Sequence, residues 1–437
     1  MMNYFSFLGE PYKCSSFEII YTLGIILIYS PKFTNLLTKL LCTQMIILEE
    51  PYVSDFLQKT LQRLKIPVLK NQAVNNLNLY KDLNFLSANK FIEIFRNNTE
   101  VPVYCPSENG LDWIIRNFGC IKPELANQIN IFKDKFRLRT LLKPVFPNFR
   151  FEKVKMADLS TYDVSSWDFP LIVKPNIGFF SVAVYRVDSA DQWNETVENI
   201  ITEFNNMQDV FPATVLDNSN FILESFIEGD EYAVDVYFND KSEPVILNVM
   251  QHIFAGPKDT SDRLYITSKE IIEHTLDPLT QILTQIGQIS EVKRFPLHTE
   301  LRISKSGEVG IIEVNPMRFA GLCVTDLAYF AYGSNNYELF FNQQAPDWDR
   351  LLTEKEGKIY AMILGTLPRD LPLEKVESVD YQSFCTKFSH VLECREMDVH
   401  KIPLFTITFA EFDESTMDEM DWALHSDFRE FFKLKRR

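Results

Sequence analysis

Residues 297–315 read LHTELRISKSGEVGIIEVN. Two runs of alternating apolar and polar residues flank Ser306-Gly307, and glycine at the centre suits the tight turn of a β-hairpin. With those two as the turn residues, Glu300 falls opposite Glu313 and His298 opposite Asn315. Side chains alternate across a strand, so Leu301, Ile303, Ile312 and Val314 occupy the other face. That face is apolar and packs on a core. The polar face brings two carboxylates to roughly 5 Å between Cβ atoms, which is unfavourable unless something positive lies between them. Oxygen donors from two Glu and one Asn suit magnesium bridging nucleotide phosphates, with manganese the alternative ion. A solvated sheet face that tolerates like charges is the plainer reading.

Upstream, residues 169–187 read FPLIVKPNIGFFSVAVYRV. An apolar strand delivers Lys174, a turn with Gly178 and Ser181 follows, and a second strand begins. A cation at a strand end, beside a loop with free backbone N–H groups, makes a phosphate cradle; a surface lysine before a hairpin is the competing reading. Residues 221–238, FILESFIEGDEYAVDVYF, give a strand, a turn at Glu228-Gly229-Asp230 and a returning strand. Glu224 and Glu231 bracket Phe226 and Ile227. A purine fits against that pair, with Glu231 accepting from ribose hydroxyls; an ordinary hairpin with exposed acids competes.

The chain of 437 residues has room for two to four domains, and 46% apolar residues supply real cores. A formal net charge of −16 argues against nucleic acid as a partner, since phosphates call for clustered Lys and Arg. Seven cysteines, at 14, 42, 105, 120, 323, 385 and 394, form no C-x-x-C pair. That is the thiol usage of a reducing compartment, so a cytoplasmic protein without structural zinc is expected. The apolar run Ile19 to Tyr29 is about half the ~20 residues needed to cross a bilayer, so a buried element, and no membrane partner, is expected.

Residues 1–122 read as an α/β lobe with a parallel sheet. Helices open at Ser30-Pro31 (running through Leu41), Ser54 and Ser107, and strands lie at 45–48, 66–69 and 101–105. No G-x-G-x-x-G is present. Residues 123–345 begin with a helix from Pro123 to Leu142 and continue into strands at 171–174, 182–187, 221–224, 232–238 and 244–249. Residues 346–437 form a third segment with a strand at Leu404 to Phe409, an acidic stretch and a terminal helix.

In order along the chain stand Lys135 in DKFRLRTLL, Lys174 in IVKP, Gly178 and Ser181, the hinge from Glu224 to Glu231, Glu300, and Glu313-Val-Asn315. Over roughly residues 125–345 this series resembles the ATP-grasp superfamily, which includes biotin carboxylase, D-alanine–D-alanine ligase and many carboxylate–amine ligases. The resemblance implies an ATP-grasp fold of mixed α/β class, preceded by a Rossmann-like lobe. It implies that Lys135 and Lys174 contact ATP phosphates under a loop at Gly178–Ser181. Glu224, Phe226 and Ile227 would line the adenine pocket, with Glu231 at the ribose and magnesium on Glu300, Glu313 and Asn315. Arg318 would steady the transferring phosphoryl group. Two departures stand out: Phe179 and Phe180 bulk out a loop that is often small, and Met317 is inserted before Arg318.

The function implied is ligation through an acyl phosphate, a small-molecule carboxylate being joined to an amine or thiol. Arg263, as a bidentate grip on a second carboxylate, and His252 and His298 are the substrate candidates. A non-catalytic nucleotide-binding module and a kinase are the alternatives. The third segment either completes the acceptor pocket or mediates a homodimer.

Overall fold

The computed structural model describes residues 44–178, 183–207, 220–256, 259–368 and 370–435. The apolar run at 19–29, the helix expected through Leu41, and Phe179, Phe180 and Ser181 lie outside the described residues.

The first lobe holds β1 (Met45–Ile46), α1 (Asp55–Leu64), β2 (Pro67–Leu69), β3 (Asn84–Leu86), α2 (Ala88–Asn97), β4 (Val103–Tyr104) and α3 (Leu111–Phe118). Its sheet is parallel throughout, in the order β3-β2-β1-β4. Parallel neighbours need crossover connections, which the helices provide. Ser54 caps α1 as its sequence position predicts, its Oγ accepting from Leu57 N at 3.1 Å.

The helix expected from Pro123 to Leu142 is two helices, α4 (Pro123–Lys133) and α5 (Lys135–Leu142). Asp134 breaks it with extended backbone and a carboxylate that accepts from Arg137 N at 2.9 Å. An N-cap inside an apparently continuous helical pattern restarts the helix in a new direction. Lys135 and Arg139 then sit one turn apart on the new helix.

Four antiparallel strands follow: β5 (Phe151–Lys155), β6 (Leu171–Pro175), β7 (Tyr185–Val187) and β8 (Asn220–Ser225), ordered β5-β8-β6-β7. Helix α6 (Trp193–Met207) belongs to this lobe, whose own core includes Leu159, Trp167, Val173, Trp193 and Leu223.

The largest element is an eight-stranded antiparallel sheet. Its strands are β9 (Asp230–Phe238), β10 (Pro244–Ile253), β11 (Leu264–Ser268), β12 (Phe295–Ile303), β13 (Val309–Pro316), β14 (Ile359–Thr366), β16 (Val391–Glu396) and β17 (Leu404–Phe412). A short β15 (Val376–Val379) pairs instead with β18 (Phe432–Leu434). The order is β13-β12-β9-β10-β11-β14-β17-β16, so three strands of the last segment continue the sheet that carries the hairpin. Helix α7 (Lys269–Ser290) packs on this sheet, and α8 (Met417–His425) belongs to the apolar cluster of the last segment.

Candidate functional site

The hairpin β12–β13 pairs Glu300 with Glu313 and His298 with Asn315, the register expected from the sequence. It does so by a different route. The turn has three residues, Lys305 to Gly307, closed by Ser304 N donating to Glu308 O at 2.9 Å, with Gly307 at φ +85°. That loop pairs Leu301 with Ile311, one residue out of step. A β-bulge at Ile312 supplies the missing residue and restores the pairing at Glu313. The core partner of Leu301 is therefore Ile311, 1% exposed, rather than the expected Ile312.

The bulge also turns backbone carbonyls toward the neighbouring lobe. Arg139 on α5 donates Nη1 to Ile311 O at 2.5 Å and Nη2 to Ile312 O at 2.9 Å. Lys174 on β6 reaches Ile312 O at 3.5 Å. Glu224, at the end of β8, binds Arg139 Nε through Oε2 at 2.8 Å and Lys174 Nζ through Oε1 at 2.5 Å. The three side chains are at most 5% exposed. Burial alone would raise the Glu224 carboxyl, but Arg139 and Lys174 outweigh it and hold it at about 2. Burial pushes the Lys174 ammonium below its usual range, Glu224 notwithstanding.

On the face that carries Glu300 and Glu313, Lys135 stands 3.1 Å from Glu313 Oε2 and donates to Gly178 O at 3.4 Å. Asn315 donates Nδ2–H to Glu313 Oε1, 3.3 Å away. Burial would raise Glu313, yet Lys135 and Lys174 hold it at about 2. Glu300 has no such partner. Burial and the Glu313 charge push its carboxyl well above the usual range. Two opposed carboxylates with too little positive charge between them fit a divalent cation. Among the described residues no group of three or more His, Cys, Asp or Glu side chains is placed to hold a metal ion.

Arg318 pairs through Nη2 with Glu108, in the loop after β4, at 3.0 Å, and its charge is felt at both Glu300 and Glu313. The inserted Met317 is itself fixed in place. It takes φ +66°, buries its side chain, donates its N–H to Pro296 O at 2.8 Å and accepts from Cys105 N at 2.9 Å. His298 binds the fully buried Asp235 through Nδ1 at 2.8 Å and places Nε2 3.8 Å from Glu300. The same Asp235 oxygen accepts from Ala320 N at 2.8 Å. One carboxylate thus fixes both β12 and the loop bearing Arg318.

The remaining candidates have partners of their own. Glu231 accepts from His252 Nδ1 at 3.0 Å and from Arg302 Nη2 at 3.0 Å, so both oxygens already carry a hydrogen bond. His252 spends Nε2 on Ser261 O at 2.9 Å and stacks on Tyr265. Arg263 donates to the carbonyls of Ala423, Leu424 and Ser426, the end of α8, where a cation complements the helix dipole. Its guanidinium is a helix cap and not the bidentate carboxylate grip expected. Phe226 lies between the guanidinium groups of Arg186, 4.5 Å away, and Arg302, 5.0 Å away. Ile227 packs on Gly310 so closely that a Cβ there would sit 2.5 Å from its Cγ2. Arg139, Asp235 and Glu108 escaped the sequence reading. Only Arg139 carried a signal, four residues after Lys135 and hence on the same helix face.

Residues 167–326 match the family model of the ATP-grasp domain. No curated protein sequence matches the chain. Among solved structures, an L-amino acid ligase from Bacillus licheniformis is 17% identical, with a TM-score of 0.61 over 90% of this chain and 99% of that one. N5-carboxyaminoimidazole ribonucleotide synthetase from Thermotoga maritima is 15% identical, with a TM-score of 0.57 over 90% and 100%. The biotin carboxylase domain of Hydrogenobacter thermophilus 2-oxoglutarate carboxylase, in complex with magnesium ADP and bicarbonate, is 11% identical, with a TM-score of 0.59 over 90% and 91%. At these identities the likeness is one of fold.

Proposed function

From the premise that residues 167–326 form an ATP-grasp domain, we propose that this protein is an ATP-dependent, ADP-forming ligase that joins a small carboxylate to an amine or thiol. The observation that carries the reading is the pairing of Glu300 with Glu313 beside Asn315, with Lys135 3.1 Å from Glu313. Opposed carboxylates flanked by two lysines on separate elements make a divalent-metal and polyphosphate site.

Glu300, Glu313 and Asn315 would hold magnesium, which when bound screens the phosphate charge and polarises the γ-phosphoryl group. Lys135 and Lys174 would grip phosphate oxygens, and the hinge from Glu224 to Ile227 would take the base. A substrate carboxylate then attacks the γ-phosphorus, the bond to the β-phosphate oxygen breaks, and ADP leaves with that electron pair. Arg318, oriented by Glu108, neutralises the charge that develops on the transferring group. The acceptor attacks the acyl carbon and phosphate departs. No protein nucleophile is required, and burial pushes the Cys105 thiol up to about 12. The five described cysteines are free, which supports a cytoplasmic setting. Among the described residues no helix is long and apolar enough to cross a membrane.

The test is ADP release from magnesium ATP, screened against pools of amino acids and other small carboxylates and amines. Release that needs two pools together is expected. ATP turnover with the phosphate retained on the acceptor would make the protein a kinase. Tight binding without turnover across every pool would make it a nucleotide-binding module.

A further inference from the structure

We propose that Arg139 is a positioning residue that keeps Glu224 paired when Lys174 turns from it to a nucleotide phosphate. This rests on the nucleotide reading above and adds to it a residue that the ATP-contacting set does not include.

In the described structure Lys174 is bound to Glu224 at 2.5 Å, and its only other hydrogen bond is the long one to Ile312 O. To reach a phosphate the ammonium has to give up much of that pairing. Glu224 is 2% exposed, so water cannot replace the lost cation. A buried carboxylate stripped of its one partner is strongly disfavoured, and a lysine facing that penalty would stay where it is. Arg139 removes the penalty because it cannot leave. Its Nε holds the second carboxylate oxygen at 2.8 Å, while its two terminal nitrogens are fixed on Ile311 O and Ile312 O. Phe149 covers its face at 4.7 Å.

The division of labour follows from the two side chains. A guanidinium is a rigid fork whose donors serve three fixed acceptors at once. An ammonium on a four-carbon stem has three donors that rotate, so it changes partners easily. The cluster carries two cations against one carboxylate, one to stay and one to move. The bulge at Ile312 turns the carbonyls that hold Arg139, so the feature that restores the metal register also anchors the standing counter-ion.

The experiment is isothermal titration of the full chain with magnesium and the imido analogue of ATP. R139M should bind roughly 10- to 100-fold more weakly than wild type, the scale of a lost charged hydrogen bond. R139K keeps the charge but not the fork that holds three acceptors, so it should bind more weakly than wild type and more tightly than R139M. In the background of E224Q, which removes the charge that needs pairing, R139M should add less than about threefold, as a double-mutant cycle reads it. An R139M protein that binds like wild type would overturn the inference. So would a full R139M loss that persists with E224Q, since it would mark Arg139 as only a brace for the bulge. If R139M does not fold, R139K with and without E224Q carries the test. Absence of binding by wild type would remove the nucleotide reading itself, whereas the other outcomes leave that reading standing.

Discussion

Two acidic clusters lie on either side of the β12–β13 bulge, and they are built to opposite ends. Around Glu224 both carboxylate oxygens are bound by cations. On the face proposed to hold metal, Glu313 has Lys135, while Glu300 has only His298 at 3.8 Å and a like charge opposite. The first cluster is complete as it stands. The second is short of positive charge, and that shortage is what a divalent cation would relieve. A close ion pair therefore says little by itself; the first cluster holds one cation more than its carboxylate needs, and the second lacks the charge that a metal would bring.

The contrast is broken most severely at Glu224. E224A strands two buried cations and should lower stability by about 3–5 kcal/mol in urea unfolding, the usual cost of removing one partner of a buried pair. The same cluster has a pH signature. Its carboxyl lies at about 2 when folded, below the unfolded value near 4.5. Its contribution is therefore fully present above pH 4.5 and is lost as pH falls toward 2. The stability gap between wild type and E224Q should narrow over that interval in thermal melts.

At Glu300 the effects reverse. E300Q should leave the melting temperature unchanged or raised, because it removes the carboxylate that burial and the Glu313 charge already disfavour. Magnesium-dependent ADP release should fall by roughly 100-fold or more, on the scale of losing a preorganised electrostatic group. Unchanged ADP release with a lowered melting temperature would turn this cluster into a second brace. H298A acts one step away and should raise the magnesium concentration needed for half-maximal activity by about tenfold, as loss of a partner behind a metal ligand does. The smallest effect is at the turn. G307A forces alanine to φ +85° and should cost about 1 kcal/mol. Metal-dependent activity should be retained, since the register at Glu313 is fixed by the bulge beyond the turn.

The sequence made much of this visible wherever the signal was local and periodic. The parallel lobe followed from short apolar runs between capped helices, and Ser54 caps where it should. The hairpin register was right although its turn was wrong, because a three-residue loop and a bulge offset each other and leave the alternation pattern as if neither were present. Asp134 went unnoticed because a cap inside a helical pattern looks like one more polar residue. Arg139 reads as a surface cation in KFRLRTLL. Its burial depends on carbonyls more than 170 positions away, which no local pattern encodes. Arg263 misled for the same reason in reverse, since the helix end it caps lies 160 or more positions downstream.

The sheet that carries Glu300 and Glu313 does not end where the ATP-grasp match ends. β11 pairs with β14 along five residues, from Leu264–Ile363 to Ser268–Ile359, and β14 pairs with β17. Trimming the protein to its recognisable domain would leave β11 with a bare row of N–H and C=O groups, an adhesive margin on which copies of the trimmed chain would stack. The last ninety residues are, in practical terms, the selvedge of the fabric, and a soluble fragment has to be cut beyond Phe412 rather than before Ile359.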